Sequence, residues 1–254
     1  MPLMLTWNMQ GGQGNQESKW QTLNGVIGNP HDHNLDETPS IIFLQECSDV
    51  PNAVTPGGWV PIPGAPANVT RFSKNYGTHH NPKCYFIAHY DWGVGNNRVS
   101  FAVLIRTAAN AGLGPQQWSD DLSAQVVVHP PVAGAAGTRP IIGVLVGTAT
   151  YYSMHAPSGV ATGFSRTYVS GMINAAAAGP NYVIGGDFNC DPDALYNAIN
   201  PIPNGQLDTS GHATCGQEEY DYFTSNNSAI NNTALNDITL VNLLSDHSGV
   251  VASI

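Results

Sequence analysis

Tyr182-Val183-Ile184-Gly185-Gly186-Asp187-Phe188-Asn189 runs from a short apolar stretch through a glycine pair into Asp-Phe-Asn. A buried strand that ends in Asp-x-Asn delivers a carboxylate and a carboxamide to the rim of a sheet. There a rigid scaffold can hold a reacting phosphate. Ser245-Asp246-His247 has the same layout, because it follows the apolar run from Ile238 to Leu244. Either segment alone could be an ordinary turn, since Gly-Asp and Ser-Asp pairs are common turn formers.

Working outward from these two segments, the rest of the chain reads mainly as strands. Leu3 to Trp7 forms a buried strand ending at Asn8, and a Gly-rich turn follows it. A helix over about Gln16 to Ile27 places Trp20, Leu23 and Ile27 on one face. Ser40 to Leu44 is a second buried strand, closed by Gln45-Glu46, and residues 48–70 are a long Pro- and Gly-rich surface loop. Tyr85–Tyr90 and Val99–Arg106 are adjacent antiparallel strands, and Gln125–His129, Pro140–Val146 and Thr148–Met154 continue the pattern. A helix over Thr162–Ala178 stops at Gly179-Pro180. The strand Tyr182–Ile184, a short helix from Pro192 and strands near Tyr220–Thr224, Ile238–Val241 and Val250–Ile254 complete the chain. This pattern predicts one domain over residues 1–254, with two mostly antiparallel or mixed sheets packed face to face and helices outside.

The chain carries 18 acidic and only 8 basic residues, for a net charge of −10. That balance argues against tight electrostatic binding of long nucleic acid, whose affinity comes from Lys and Arg on phosphates. It remains compatible with a metal-dependent phosphodiesterase, because bound cations cancel carboxylates. No stretch of about 18 apolar residues is present, so no transmembrane helix is predicted. Met1 to Leu5 lacks the basic head and apolar body of a signal peptide, and we read the chain as a secreted protein without its leader. Four cysteines allow three fully paired connectivities. A Cys190–Cys215 bridge would clamp two site-bearing loops, and four free thiols is the alternative.

The strand ends carry Asn8, Glu46, His155, Asp187, Asn189, Asp221, Asp246 and His247. Magnesium prefers carboxylate and amide oxygens and keeps several waters, which leaves room for a substrate phosphate. Glu46 and Asp246 can hold such an ion, with Asn8 or Asp187 completing the shell. His155 and His247 are the proton carriers suited to neutral pH. Asp221 is the candidate partner that would set the tautomer of His247. Arg98, at the head of an apolar strand, is placed to clamp a phosphate.

Thr6-Trp7-Asn8-Met9-Gln10-Gly11, Glu17-Ser18-Lys19-Trp20, Leu44-Gln45-Glu46, Arg98 to Val103, Met154-His155-Ala156, Gly186 to Asn189, Tyr220-Asp221-Tyr222 and Ser245-Asp246-His247 occur in that order. Through them the sequence resembles the endonuclease/exonuclease/phosphatase superfamily, and within it the catalytic B subunit of cytolethal distending toxins. The resemblance implies a four-layer α/β sandwich of the deoxyribonuclease type. It implies a Mg2+ site (Ca2+ or Mn2+ as alternatives) at Glu46, Asn8 and Asp246. It also implies acid–base histidines at His155 and at His247 paired with Asp221, and water and phosphate orientation by Asp187 and Asn189. Arg98, Asn8 and Asn189 would contact the substrate phosphate. The glutamate that pairs with the first histidine in the deoxyribonucleases is missing or displaced, since Asn81-Pro82-Lys83-Cys84 stands there.

The resemblance makes DNA the expected substrate, with toxin delivery subunits as partners and action inside a target-cell nucleus. Two rivals keep the same scaffold. A phosphoinositide or other phospholipid phosphatase would use the same site, and a binding module would have lost catalysis.

Overall fold

A computed structural model describes residues 3–10, 16–35, 37–47, 68–76, 83–91, 100–107, 122, 124–131, 139–158, 164–179, 181–198, 205–226, 236–241, 243 and 245–253. Thirteen strands among them form two sheets. β1 (Leu3–Asn8), β2 (Ile41–Gln45), β3 (Val69–Asn75), β4 (Cys84–Tyr90), β5 (Phe101–Arg106), β12 (Asn236–Val241) and β13 (Gly249–Ser253) make one, in the order β12-β13-β1-β2-β5-β4-β3. β6 (Val126–His129), β7 (Ile141–Val146), β8 (Ala149–His155), β9 (Asn181–Asp187), β10 (Gly205–Asp208) and β11 (Asp221–Asn226) make the other, in the order β10-β11-β9-β8-β7-β6. Both sheets are mixed: β1 pairs with β2 and β8 with β9 in parallel, and the remaining pairs are antiparallel.

Period-2 alternation assigns each strand residue to one of two cores. Met4, Ile41, Phe43, Phe86, Val103, Val144, Val183, Phe223 and Val250 point between the sheets. Leu5, Trp7, Ile42, Leu44 and Ile87 point outward, beneath Trp20, Leu23, Val26 and Ile27 of helix α1 (Gln16–Gly28). On the opposite outer face, Tyr152, Met154, Tyr182, Ile184 and Tyr222 lie beneath Tyr168, Val169, Met172 and Ile173 of helix α2 (Phe164–Ala177) and Leu195 of the short α3 (Pro192–Ala198). Helix, sheet, sheet, helix is the predicted four-layer sandwich.

Several boundaries differ from the sequence reading. Gly185, Gly186 and Asp187 belong to β9 itself, rather than to a turn after it. A Cβ on Gly186 would lie 2.1 Å from the Met154 carbonyl oxygen, and one on Gly185 would lie 2.6 Å from the Phe43 ring. The glycines therefore let the site-bearing strand continue where β8 and the facing sheet press closest, and turn propensity gives way to packing. β3 begins at Val69, inside the expected 48–70 loop, and β10 has no counterpart among the expected strands. β3 lies at a sheet edge and is mostly polar (Thr70, Arg71, Ser73, Lys74 and Asn75), and the edge strand β10 is only four residues long, so neither carries a strong apolar periodic signal. The rest of that expected loop, 48–67, lies outside the described residues.

The Cys190–Cys215 bridge does not form, and both thiols are free. Cys190 sits in the outer core with its Sγ 3.5 Å from the Tyr222 hydroxyl, whereas Cys215 lies half-buried at the rim beside His247. Among the described residues no helix is long and apolar enough to cross a membrane.

Candidate active site

The inward phase of the alternation ends at one rim in polar groups. Met4, Thr6 and Asn8 share a phase on β1, as do Tyr151, Ser153 and His155 on β8 and Val183, Gly185 and Asp187 on β9. Strand register then lines up His155 with Asp187, and Asp187 with Asp221, across β8, β9 and β11. Asn8 reaches across from the other sheet, its Nδ2 donating to Asp187 Oδ2 at 2.8 Å.

A buried polar bridge beneath the rim ties the sheets together. Gln45 Nε2 donates to Ser153 Oγ at 3.0 Å, and Ser153 Oγ donates to the Leu44 carbonyl at 3.0 Å. Helix α1 braces the same loops. Lys19 Nζ donates to the carbonyls of Met9 and, at 2.7 Å, Gln10, while Trp20 Nε1 donates to the Cys47 carbonyl at 3.1 Å. Lys19 and Trp20 thus hold the backbone on either side of the site.

Three site loops leave their strands through a left-handed residue: Gln10 (φ 49°), Glu46 (φ 48°) and Asn189 (φ 46°). Such a conformation costs a non-glycine residue roughly 1–2 kcal/mol. The surroundings supply compensating bonds: Gln10 N donates to Asn8 Oδ1 (2.8 Å), Asn189 N to Asp187 Oδ1 (2.9 Å) and Asn189 Nδ2 to the Ala156 carbonyl (2.8 Å). Strain held in this way concentrates where side chains must be aimed.

The two histidines are held in opposite charge states. Burial alone would lower His247, but its 2.6 Å contact through Nδ1 with Asp221 Oδ2, together with Asp187 and Asp246, raises it to about 9. Asp221 is completely buried; burial pushes its carboxyl up, and the contact with His247 pulls it back. His247 is therefore an imidazolium at neutral pH, with Nε2 turned toward Asp246 (3.9 Å). His155 is lowered well below its ordinary value by burial, then by Arg139 and His247, so it is neutral. Its Nε2 lies 3.5 Å from both Glu46 Oε1 and Asp187 Oδ2. Its buried Nδ1 has no hydrogen-bond partner among the described residues. Lys83, at the head of β4, bonds the end of α1 through the Ile27 and Gly28 carbonyls.

Asp187 is raised to about 7, first by burial and then by Asp221, with His247, Asn8 and Asn189 opposing. Asp246 is half-exposed and accepts from Gln10 Nε2 at 2.5 Å. Ser245 Oγ donates to the Asn8 carbonyl at 2.8 Å, fastening the Asp246-His247 loop to β1.

All the expected site residues except Arg98 are thus gathered at this rim, and Arg98 lies outside the described residues. One basic group escapes the sequence reading. The Arg139 guanidinium is close enough to Glu46, Asp187 and His155 to perturb each electrostatically, and its buried Nη1 has no hydrogen-bond partner among the described residues. The signal that could have found it is the one that singles out Arg98, a lone arginine just ahead of an apolar strand. A cleft of about 490 Å³ lined by Asp191, Tyr196, His212 and Glu218 contains none of the site groups.

The donors suit a hard divalent cation. Glu46, Asp246 and the Asn8 carboxamide offer oxygens. Glu46, Asp187, Asp221 and Asp246 outnumber the nearby cations Arg139 and His247, and burial followed by the neighbouring Asp221 carboxylate raises Asp187.

No protein-family model matches the chain. A homolog of the cytolethal distending toxin B subunit from Salmonella typhi is 28% identical over 205 residues, which is 77% of this chain and 66% of that protein, just under two thirds of its length. The B subunit of the Escherichia coli cytolethal distending toxin is 25% identical over 235 residues, 88% of this chain and 78% of that protein. In three dimensions, the structure of CdtB, the biologically active subunit of cytolethal distending toxin, superposes with a TM-score of 0.74 at 24% identity, covering 99% of this chain and 96% of that one. The chain is a sequence relative of CdtB proteins and has their fold.

Proposed function

We propose that the chain is a nuclease-type hydrolase that cleaves phosphodiester bonds of DNA, with Mg2+ held by Glu46, Asp246 and Asn8. The observation that carries this reading is the row of proton-handling groups at the rim: Asp187 and Asp221 in register on β9 and β11, His247 bonded to Asp221 at 2.6 Å, and His155 Nε2 3.5 Å from Asp187. Hydrolysis of a phosphodiester needs a proton acceptor near the attacking water and a proton donor near the leaving oxygen, both available at one pH. Asp187, raised to about 7 and aimed by Asn8 and Asn189, is the group to orient the water and draw its proton. His247, kept cationic by Asp221, delivers a proton from Nε2 to the leaving oxygen. Neutral His155, with Nε2–H directed inward, donates to a non-bridging phosphate oxygen, and Arg139 and Arg98 offset the phosphate charge. When bound, the metal stabilises charge developing on the phosphate.

The names of the relatives, subunits of a cytolethal distending toxin, support a toxin-type effector that is secreted or delivered; carriage by delivery subunits and action in a target-cell nucleus are part of the same proposal. Because every described site residue comes from one sandwich, we treat residues 1–254 as one domain.

The small number of Lys and Arg favours one rival, a phosphoinositide phosphatase using the same groups. Supercoiled-plasmid nicking with and without chelator, run beside phosphate release from phosphoinositide vesicles, separates the two. Nicking that chelator abolishes and Mg2+ restores supports the DNA reading; phosphate release without nicking overturns it. His155→Ala is expected to lower nicking by about 10² to 10³ while leaving the circular dichroism spectrum unchanged.

A further inference from the structure

The turn before β11 runs alongside His247 and carries a thiol that the proposed hydrolysis does not use. Cys215 forms a β-bridge with His247, and Ser248 N donates to the Thr214 carbonyl at 2.8 Å. Cys215 and Glu218 exchange backbone bonds (3.1 and 3.0 Å), which close the turn. The two segments are therefore held side by side by main chain. Within this frame the Cys215 Sγ, a carboxylate oxygen of Asp246 and a ring nitrogen of His247 lie within 4.8 Å of one another. Because Nδ1 of His247 is taken by Asp221, Nε2 is the nitrogen left to face the other two.

We propose that Cys215, Asp246 and His247 form a second metal site, selective for a thiophilic dication such as Zn2+, and that filling it shuts the hydrolytic site. Thiolate, imidazole and carboxylate are the ligand types zinc takes, whereas Mg2+ has little affinity for sulfur or nitrogen. Zinc bond lengths of about 2.0–2.3 Å place tetrahedral ligands roughly 3.5 Å apart. The exposed Asp246 side chain can close that remaining gap by rotation, and Cys215 is only half-buried, so ion and water can enter. The imidazole is already aimed, since Asp221 on Nδ1 orients the ring as carboxylates do in zinc sites. Binding forms the metal–sulfur and metal–nitrogen bonds and releases to solvent the thiol proton of Cys215 and the Nε2 proton of His247.

The metal-binding half stands on this geometry alone, while the shut-off half rests on the hydrolase reading. It follows because Zn2+ would occupy Asp246 and the nitrogen that donates to the leaving oxygen.

Two measurements test the two halves separately. Cd2+ alone is titrated into the metal-free protein and followed by the ultraviolet thiolate-to-cadmium charge-transfer band. The band is expected in the parent protein, lost in C215S and C215A, and shifted to more than about 10-fold higher Cd2+ in Asp246→Asn. No band, or a band unchanged in both Cys215 variants, overturns the site whatever the enzyme does. In the second measurement Zn2+ is added to Mg2+-supported plasmid nicking. C215S is expected to nick at the parent rate without zinc and to need more than about 10-fold more Zn2+ for inhibition. Equal zinc sensitivity of parent and C215S overturns the shut-off. A protein that binds Cd2+ through Cys215 but never nicks DNA refutes the hydrolase reading and leaves the metal site standing.

Discussion

Asp221→Asn removes the charge that keeps His247 protonated while preserving side-chain size. The contact it alters is 2.6 Å long, with Asp221 fully buried and His247 nearly so. Against burial, Asp221 is the largest of the groups that hold His247 near 9, with Asp187 and Asp246 adding to it. Its loss lets the imidazole fall toward the ordinary value of about 6.5. The full distance between those values, about 3 kcal/mol in favour of the imidazolium, is the upper bound on what Asp221 supplies. At that bound the variant would keep roughly a tenth of its His247 protonated near pH 7.5, so the rate should fall by up to about tenfold and recover partly toward pH 6. The assay is the pH–rate profile of plasmid nicking under single-hit conditions. In the parent, activity should fall as pH rises through about 9; in the variant, the alkaline limb should move down from there toward about 6.5. The same shift has a stability counterpart. A folded-state pKa raised above the unfolded one contributes stability that is complete below about 6.5 and lost as pH rises through 9. The parent's advantage over Asp221→Asn in urea denaturation should therefore shrink between those limits. A folded variant whose alkaline limb stays near 9 refutes the reasoning.

Three other perturbations follow from the geometry. Gly186→Ala drives a Cβ into the Met154 carbonyl oxygen and should cost more than about 4 kcal/mol or prevent folding, whereas Gly185→Ala meets only movable rings and should cost about 1–3 kcal/mol. Urea midpoints that are equal for the two would contradict that account. Arg139→Gln removes a positive neighbour of His155, so the His155 pKa should rise and the acidic limb of the rate profile should move to higher pH. An NMR titration of His155 that is superimposable on the parent's would rule this out. Ser153→Ala leaves Gln45 Nε2 buried without its acceptor and should cost about 1–3 kcal/mol, read by thermal or urea unfolding; a neutral effect would show that the inter-sheet bridge contributes nothing.

The order of elements and the four-layer arrangement are legible in the chain because each central strand alternates cleanly. Leu5 and Trp7 against Met4 and Thr6, or Tyr182 and Ile184 against Val183, report two buried faces. Edge strands β3 and β10 escape such a reading because β3 alternates with polar residues such as Arg71 and Ser73 on its buried face and β10 is only four residues long. Gly185-Gly186 reads as a turn because propensity is local, while the approach of Met154 and Phe43 that demands glycine is not.

Residue types and strand-end positions by themselves determined which side chains could meet: Asn8, Glu46, His155, Asp187, Asn189, Asp221, Asp246 and His247. Only the tertiary structure decided their charge states, since protonation depends on burial and on neighbours brought from distant strands. Two histidines identical in sequence terms differ because one meets the Asp221 carboxylate, whereas the other is held neutral first by burial and then by Arg139. Folding likewise decided that Cys215 stands beside His247 rather than bonded to Cys190, because packing against Tyr222 draws the Cys190 thiol into the outer core while Cys215 stays at the rim.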